Sequence, residues 1–251
     1  MRSSRGVLPP TTFIPLAEQS GLIHDVTRYA LTECVTQLAA WRDEGRATPV
    51  AVNLSAHDVT TVAVVDLIEA LLEEHTVSAD LLEVEITETA LVADPSRVVP
   101  VLQRLGALGI RVAIDDFGIG NTSISQLRDL PVDELKIDRL FVADRGVDGR
   151  EGSEVVVQAM VDLAHSFDLR VVAEGVEDEP TAVILRRLGV DQAQGFLYSQ
   201  AVPADDLRLT PSVPRPRREP GRGGVAVAAP PPATTRRARP PRSPGTDDTN
   251  G

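Results

Sequence analysis

A chain of 251 residues with 42% apolar and only 3% aromatic residues is long enough for one large domain or two small ones, built around an aliphatic core. The formal charge of −12 divides into +5 over residues 211–251, from eight Arg against three acids, and −17 over residues 1–210; a body this acidic excludes DNA or RNA duplex binding unless cations intervene. Cys34 is the single cysteine, no apolar run reaches membrane-spanning length and no signal-peptide stretch opens the chain, which excludes a disulfide scaffold and a membrane segment and implies a cytoplasmic location.

Residues 1–12, with Pro9–Pro10 and two Ser, read as irregular. From about Pro15 to Arg42, Leu22, Ile23, Val26, Tyr29, Ala30, Leu31, Val35, Leu38 and Trp41 recur at spacings of three and four, which predicts one long helix stopped by Gly45. The chain then alternates. Strands are predicted at 49–54, 81–87, 110–115, 133–137, 170–174 and 190–194, and helices at 58–74, 96–108, 122–129, 151–167 and 179–188. Repeated strand–helix units imply an α/β fold with a parallel sheet. The segment 144–152, rich in Gly and charge, reads as a flexible or partner-facing loop. From Pro211 onward the chain holds ten of its 19 prolines, and the last segment, 210–251, reads as a disordered basic tail.

Five of the six predicted strands carry a polar group at or near their carboxyl ends. Asn53 closes VAVNLS, Glu85 lies in LLEVEITE, Asp115 and Asp116 end IRVAIDDFG, Lys136 sits in DELKID and Glu174 ends LRVVAEGVE. These positions are separated by 32, 30, 21 and 38 residues, each compatible with one crossover unit. In a TIM-type barrel of parallel strands all of them converge on the face where such barrels do chemistry. Six strands are two short of closing that barrel, so the expected architecture is a (β/α) barrel lacking its first two strands. Of the 25 basic residues only Lys136 is a lysine, which marks a position that wants a compact point charge rather than a planar guanidinium.

Asn, Glu and Asp oxygens without His or Cys nearby suit a hard divalent cation such as Mg²⁺ or Mn²⁺. Asp115 and Asp116 are adjacent at a strand end, where a broken pleat lets both reach one pocket; one could bridge two ions that clamp a phosphodiester. Lys136 could hold a phosphate oxygen or the attacking water, and Glu174 could act as general base or metal ligand. Gly118 and Gly120 permit a tight turn after the paired Asp, which Thr87 and Glu88 could tie down. The four His fall on helices or helix starts and read as surface or capping residues, and Cys34 reads as inert packing.

FIPLAEQSGLI at 13–23, VNLS at 52–55, EITE at 85–88, DDFGIGNTS at 115–123, LKID at 135–138, AEGVE at 173–177 and QGFLYS at 194–199 resemble, in order, the blocks of the EAL-domain family of bacterial cyclic di-GMP phosphodiesterases. The resemblance implies metal-dependent hydrolysis of cyclic di-GMP to the linear dinucleotide. It implies a two-metal Mg²⁺ or Mn²⁺ site, with Asn53, Glu85 and Asp115 on one ion and Asp115, Asp116 and Glu174 on the second. Lys136 would position water or phosphate, Glu88 would fix the loop after Asp116, and Glu177 and Gln194 would line the pocket or support its ligands. It further implies homodimer formation and an upstream sensor or cyclase domain. The Glu-Ala-Leu strand for which the family is named, whose Glu is a metal ligand, has no counterpart in these residues. A partial barrel over 13–209 after a remnant at 1–12, with impaired catalysis, is therefore expected; the alternative is a cyclic di-GMP-binding regulatory module that does not cut.

Overall fold

The computed structural model describes residues 2–3, 6–120, 124–143 and 151–207, all within one compact unit, Met1–Pro216. The expected tail, the Gly-rich loop at 144–150 and Asn121–Ser123 of the DDFGIGNTS block lie outside the described residues.

The first segment departs from expectation. Two-residue strands β1 (Arg2–Ser3) and β2 (Gly6–Val7) pair antiparallel, and helix α1 (Pro10–Ser20) follows. The single helix expected from Pro15 is two helices. Gly21 adopts a left-handed conformation (φ 74°) that ends α1, and α2 (Ile23–Asp43) begins afresh. Buried Ile23, Thr27, Leu31, Val35, Leu38 and Trp41 form one face of α2, which lies against β3 (Val50–Leu54) and α3 (Ala63–His75).

The alternation then proceeds as the pattern predicts, with two short helices, at Glu88–Ala93 and Arg139–Ala143, that it did not. After β3 and α3 come β4 (Leu82–Thr87), α4 (Glu88–Ala93), α5 (Pro95–Leu108), β5 (Arg111–Phe117), α6 (Ile124–Asp129), β6 (Glu134–Ile137), α7 (Arg139–Ala143), α8 (Glu151–Ser166), β7 (Arg170–Ala173), α9 (Glu179–Arg187) and β8 (Gln192–Ala193). Local signals set the helix ends. Asp94 accepts the Arg97 amide ahead of Pro95 at the start of α5, Gly109 (φ 86°) closes it, and Asp178 accepts the Thr181 amide at the start of α9.

Strands β3 to β8 form one sheet, all parallel and in chain order. Without a reversal of strand order there is no switch point of the doubly wound kind, and the sheet is of the TIM-barrel type. Among the described residues β3 and β8 each pair on one side only. No described helix is long and apolar enough to cross a membrane.

The two faces of this sheet differ in chemistry. Val52, Leu54, Leu82, Val84, Ile86, Val112, Ile114, Leu135, Ile137, Val171 and Ala173 point toward the helices and form the core with them. The largest fully buried side chains are all Leu or Ile, as the low aromatic content requires; each contributes about 1.5–3 kcal/mol on burial. The opposite face is polar. Period-two alternation and the strand register place Asn53, Glu83, Glu85, Arg111, Asp115, Glu134 and Lys136 on it. Toward its floor, Arg111 Nε pairs with Glu83 at 3.1 Å. Most barrels of this type fill the interior with branched apolar residues; this one fills it with charge.

Candidate active site

The paired aspartates sit together because the backbone breaks the pleat. Successive residues of a regular strand point to opposite faces. Asp116 adopts φ 55°, and the β5–β6 register shifts between Ile114 and Phe117. A bulge of this kind re-aims a side chain at the strand end. As a result, ligand oxygens of Asp115, Asp116 and Glu174 lie within 4.8 Å of one another. Glu174 follows β7 directly, and its amide donates to Ile137 O.

Lys136, 3% exposed, stands at the centre of this group. Its Nζ lies 2.8 Å from Glu85 Oε1, 3.1 Å from Asp115 Oδ1 and 2.5 Å from Glu174 Oε1. Asn53 pairs with Glu85 in register and donates its side-chain amide to Glu85 Oε2 at 3.0 Å. Five of the strand-end positions singled out in the sequence therefore meet in one cluster, and Asp116 joins it through the bulge.

The electrostatics follow from burial. Burial works against the Lys136 charge, but Glu85, Glu174 and Asp115 outweigh it and raise its affinity for the proton. Burial raises Glu85, opposed by Lys136, with Asp115 and Glu83 adding to the rise. Burial likewise raises Glu174 against the pull of Lys136. Asp116 is raised by burial, by the charge of Asp115 and by a hydrogen bond with Asp138.

Asp138 was not singled out in the sequence. It is 8% exposed, and its Oδ1 accepts the Leu140 amide at 2.7 Å. The available signal was its position two residues after Lys136 within LKID, which puts both on one face.

Glu88 is 3% exposed and its Oε2 accepts the amides of Gly118 and Gly120, both at 3.0 Å. A Cβ on Gly120 would lie 2.6 Å from Glu88 Cδ, and one on Gly118 (φ 104°) would lie 2.5 Å from Met160 Cε. The turn after the paired Asp is thus held to the start of α4. Gln194 lies just past β8, with its amide on Ala173 O at 2.8 Å and its carbonyl accepting Val176 N at 3.0 Å; its side chain is exposed. Glu177 is exposed and stands outside the three-carboxylate group.

The donor set fits a divalent cation. Asp115 Oδ1 is buried and receives no hydrogen bond, although Lys136 stands 3.1 Å away. A buried carboxylate oxygen without a donor, beside two further carboxylates, offers a bridging position to a hard cation. Asp115, Asp116 and Glu174 could hold one ion, and Asn53, Glu85 and Asp115 could contribute to another.

His24 and His165 are exposed, as expected, but each has an acidic partner. His24 Nδ1 lies 2.6 Å from Asp58 Oδ1, and the buried Asp58 also accepts from Thr27 Oγ1 and Ser55 Oγ at 2.6 Å. His165 Nε2 lies 2.9 Å from Asp191 Oδ2. Burial raises the Cys34 thiol to about 11, consistent with inert packing.

The chain thus folds as a parallel α/β sheet of the barrel type with an acid-rich cluster at the carboxyl ends of its strands. The EAL domain profile matches residues 1–201, and the chain belongs to that family. It is 37% identical over 200 residues to the cyclic di-GMP phosphodiesterase PdeR of Escherichia coli K12, covering 80% of this chain and 30% of that protein. It is 38% identical over 203 residues to the bifunctional diguanylate cyclase/cyclic di-GMP phosphodiesterase MucR of Pseudomonas aeruginosa, covering 80% of this chain and 29% of that protein. The chain thus spans about a third or less of these relatives. Among solved structures, the PaMucR phosphodiesterase in complex with c-di-GMP superposes with a TM-score of 0.75 at 37% identity, covering 80% of this chain and 81% of that one.

Proposed function

We propose that this domain hydrolyses cyclic di-GMP to the linear dinucleotide with Mg²⁺ or Mn²⁺, in the cytoplasm. The observation that carries the reading is the convergence of Asp115, Asp116 and Glu174 within 4.8 Å around a buried lysine, in a chain 37% identical to a phosphodiesterase solved with c-di-GMP. Bound divalent cations would neutralise the acid cluster for a dianionic substrate and activate water toward phosphorus.

The protein's own groups divide the remaining work. Glu174, made more basic by burial, is placed to take the proton of the attacking water. The Lys136 ammonium, kept charged by its acidic neighbours, orients that water or a phosphate oxygen. The P–O3′ bond breaks as the new P–O bond forms in line, and the leaving oxygen takes up a proton. Asn53 holds Glu85, Glu88 holds the turn that follows Asp116, and Gln194 and Glu177 rim the pocket. The family resemblance assigns a further glutamate ligand to a Glu-Ala-Leu strand, so residues 1–251 alone are expected to turn over slowly.

The test is incubation of the purified chain with cyclic di-GMP and Mn²⁺, with products separated by chromatography. Linear dinucleotide that forms with Mn²⁺ and disappears with chelator or in Asp115→Asn supports the reading. Tight binding without product would instead make the domain a regulatory cyclic di-GMP receptor.

A further inference from the structure

Lys136 has a property that its place in the hydrolytic machinery does not require. It is 3% exposed, and its Nζ lies within ion-pair distance of three carboxylates on three different segments: Glu85 on β4, Asp115 on β5 and Glu174 after β7. Those side chains are only 10%, 14% and 20% exposed. Three poorly solvated carboxylates gathered around one point repel each other strongly unless a cation stands between them. The chain supplies that cation from its own sequence.

We propose that Lys136 is a resident counter-cation: it assembles the carboxylates when no metal is bound and competes with the metal for them when one arrives. Charge geometry supports the choice of residue. An ammonium is a compact charge with three donors pointing in different directions, whereas a guanidinium is a flat fork that faces one partner. Oxygens converging from three strands need the first kind, and here the chain, which otherwise uses Arg at all 24 of its remaining basic positions, places its only Lys. The partition of contacts also fits. Lys136 hydrogen-bonds Glu85 and Glu174, but Asp115 Oδ1 receives no aligned bond. Asp115 is therefore the carboxylate the ammonium holds least, and the one through which an incoming dication gains entry. Part of the binding energy of the metal is spent in loosening the ammonium from Glu85 and Glu174.

The inference rests on reading this cluster as a cation site, and its sign separates it from a plain packing role. Substitution of Lys136 by Met removes the competitor and keeps the stem. Metal-free Lys136→Met is expected to melt about 5–10 °C below wild type, because the carboxylates lose their partner. Its Mn²⁺ dissociation constant, measured by calorimetry, is expected to fall about tenfold, because no ammonium has to be displaced. An unchanged metal-free melting temperature, or weaker Mn²⁺ binding, would overturn the proposal.

If Lys136→Met folds only with Mn²⁺ present, the assembling role is supported directly. Lys136→Arg then decides the point-charge argument: a melting temperature below wild type is expected, and a wild-type value would overturn it. The melting comparison does not depend on turnover. Wild-type chain that fails to hydrolyse cyclic di-GMP would remove the proposed function while leaving this inference to stand or fall on its own data.

Discussion

Replacement of Gly120 by Ala offers a sharp test of how the site is held. The nearest atoms a new Cβ would strike are those of the Glu88 carboxyl group, at 2.6–2.9 Å. The carboxylate must withdraw, and with it go the hydrogen bonds from the Gly118 and Gly120 amides. A bond from a backbone amide to a buried charged acceptor contributes about 1.5–3 kcal/mol, so the pair holds the turn with about 3–6 kcal/mol. That turn begins two residues after Asp116, whose φ of 55° lies in the left-handed region that the adjoining turn must hold. Released, Asp116 leaves the cluster, and Mn²⁺ affinity is expected to drop about tenfold to a hundredfold. Mn²⁺ titration calorimetry and thermal melts should show the same loss in Gly120→Ala and Glu88→Ala. The double variant should be no worse than either alone, within about 0.5 kcal/mol, because both remove one interaction. Glu88→Gln, which keeps an acceptor oxygen but not the charge, should lose about half as much. Strictly additive losses, or wild-type Mn²⁺ binding by Gly120→Ala, would refute the reasoning.

Other perturbations follow from the same contacts. Asp115→Asn and Glu174→Gln should each lower hydrolysis at least about a hundredfold, measured by product chromatography, while leaving the melting temperature near wild type. Asp58 is 4% exposed; burial raises its pKa, but bonds from Ser55, Thr27 and His24 outweigh this and hold it below the usual carboxylate value. A depressed folded-state pKa stabilises above the unfolded value and is lost as pH falls through the folded one. Asp58→Ala should therefore cost about 2–4 kcal/mol near pH 7 in urea unfolding, with the gap to wild type narrowing below about pH 4. Gly195→Ala would drive a Cβ to within 2.2 Å of Val176 O and 2.3 Å of Val176 N. Backbone rather than a flexible side chain stands in the way, which leaves no cheap relief, so a loss of at least about 3 kcal/mol is expected by the same assay.

Strand positions were legible because the buried outer faces are written in branched aliphatics, and five of the six strands carry at or near their carboxyl ends a polar group that such a face could not accept. Asp115 and Asp116 were legible as a shared pair for a related reason: two adjacent acids at the end of an apolar strand make sense only where the pleat fails. Other features left weaker marks. The break at Gly21 is invisible to apolar periodicity, since Leu22 and Ile23 continue the pattern past a residue that ends the helix. Asp138 escaped because an acid after a lysine reads as an ordinary strand exit; only the inward alternation shared with Lys136 reveals it. His24 and Asp58 are 34 residues apart, and nothing local links a half-exposed helix residue to a buried turn acid. The charged barrel interior was hidden as well, because Glu83, Arg111 and Glu134 look like rim residues until the register places them inside.

The central claim is that carboxylates from separate strands form a divalent-cation site at the mouth of this barrel. Diffraction from crystals soaked in Mn²⁺, recorded at the manganese edge, tests it directly. The account predicts an anomalous peak bounded by Asp115, Asp116 and Glu174, absent in Asp115→Asn. Manganese found only at other acidic groups on the surface, with this cluster still closed around Lys136, would contradict it.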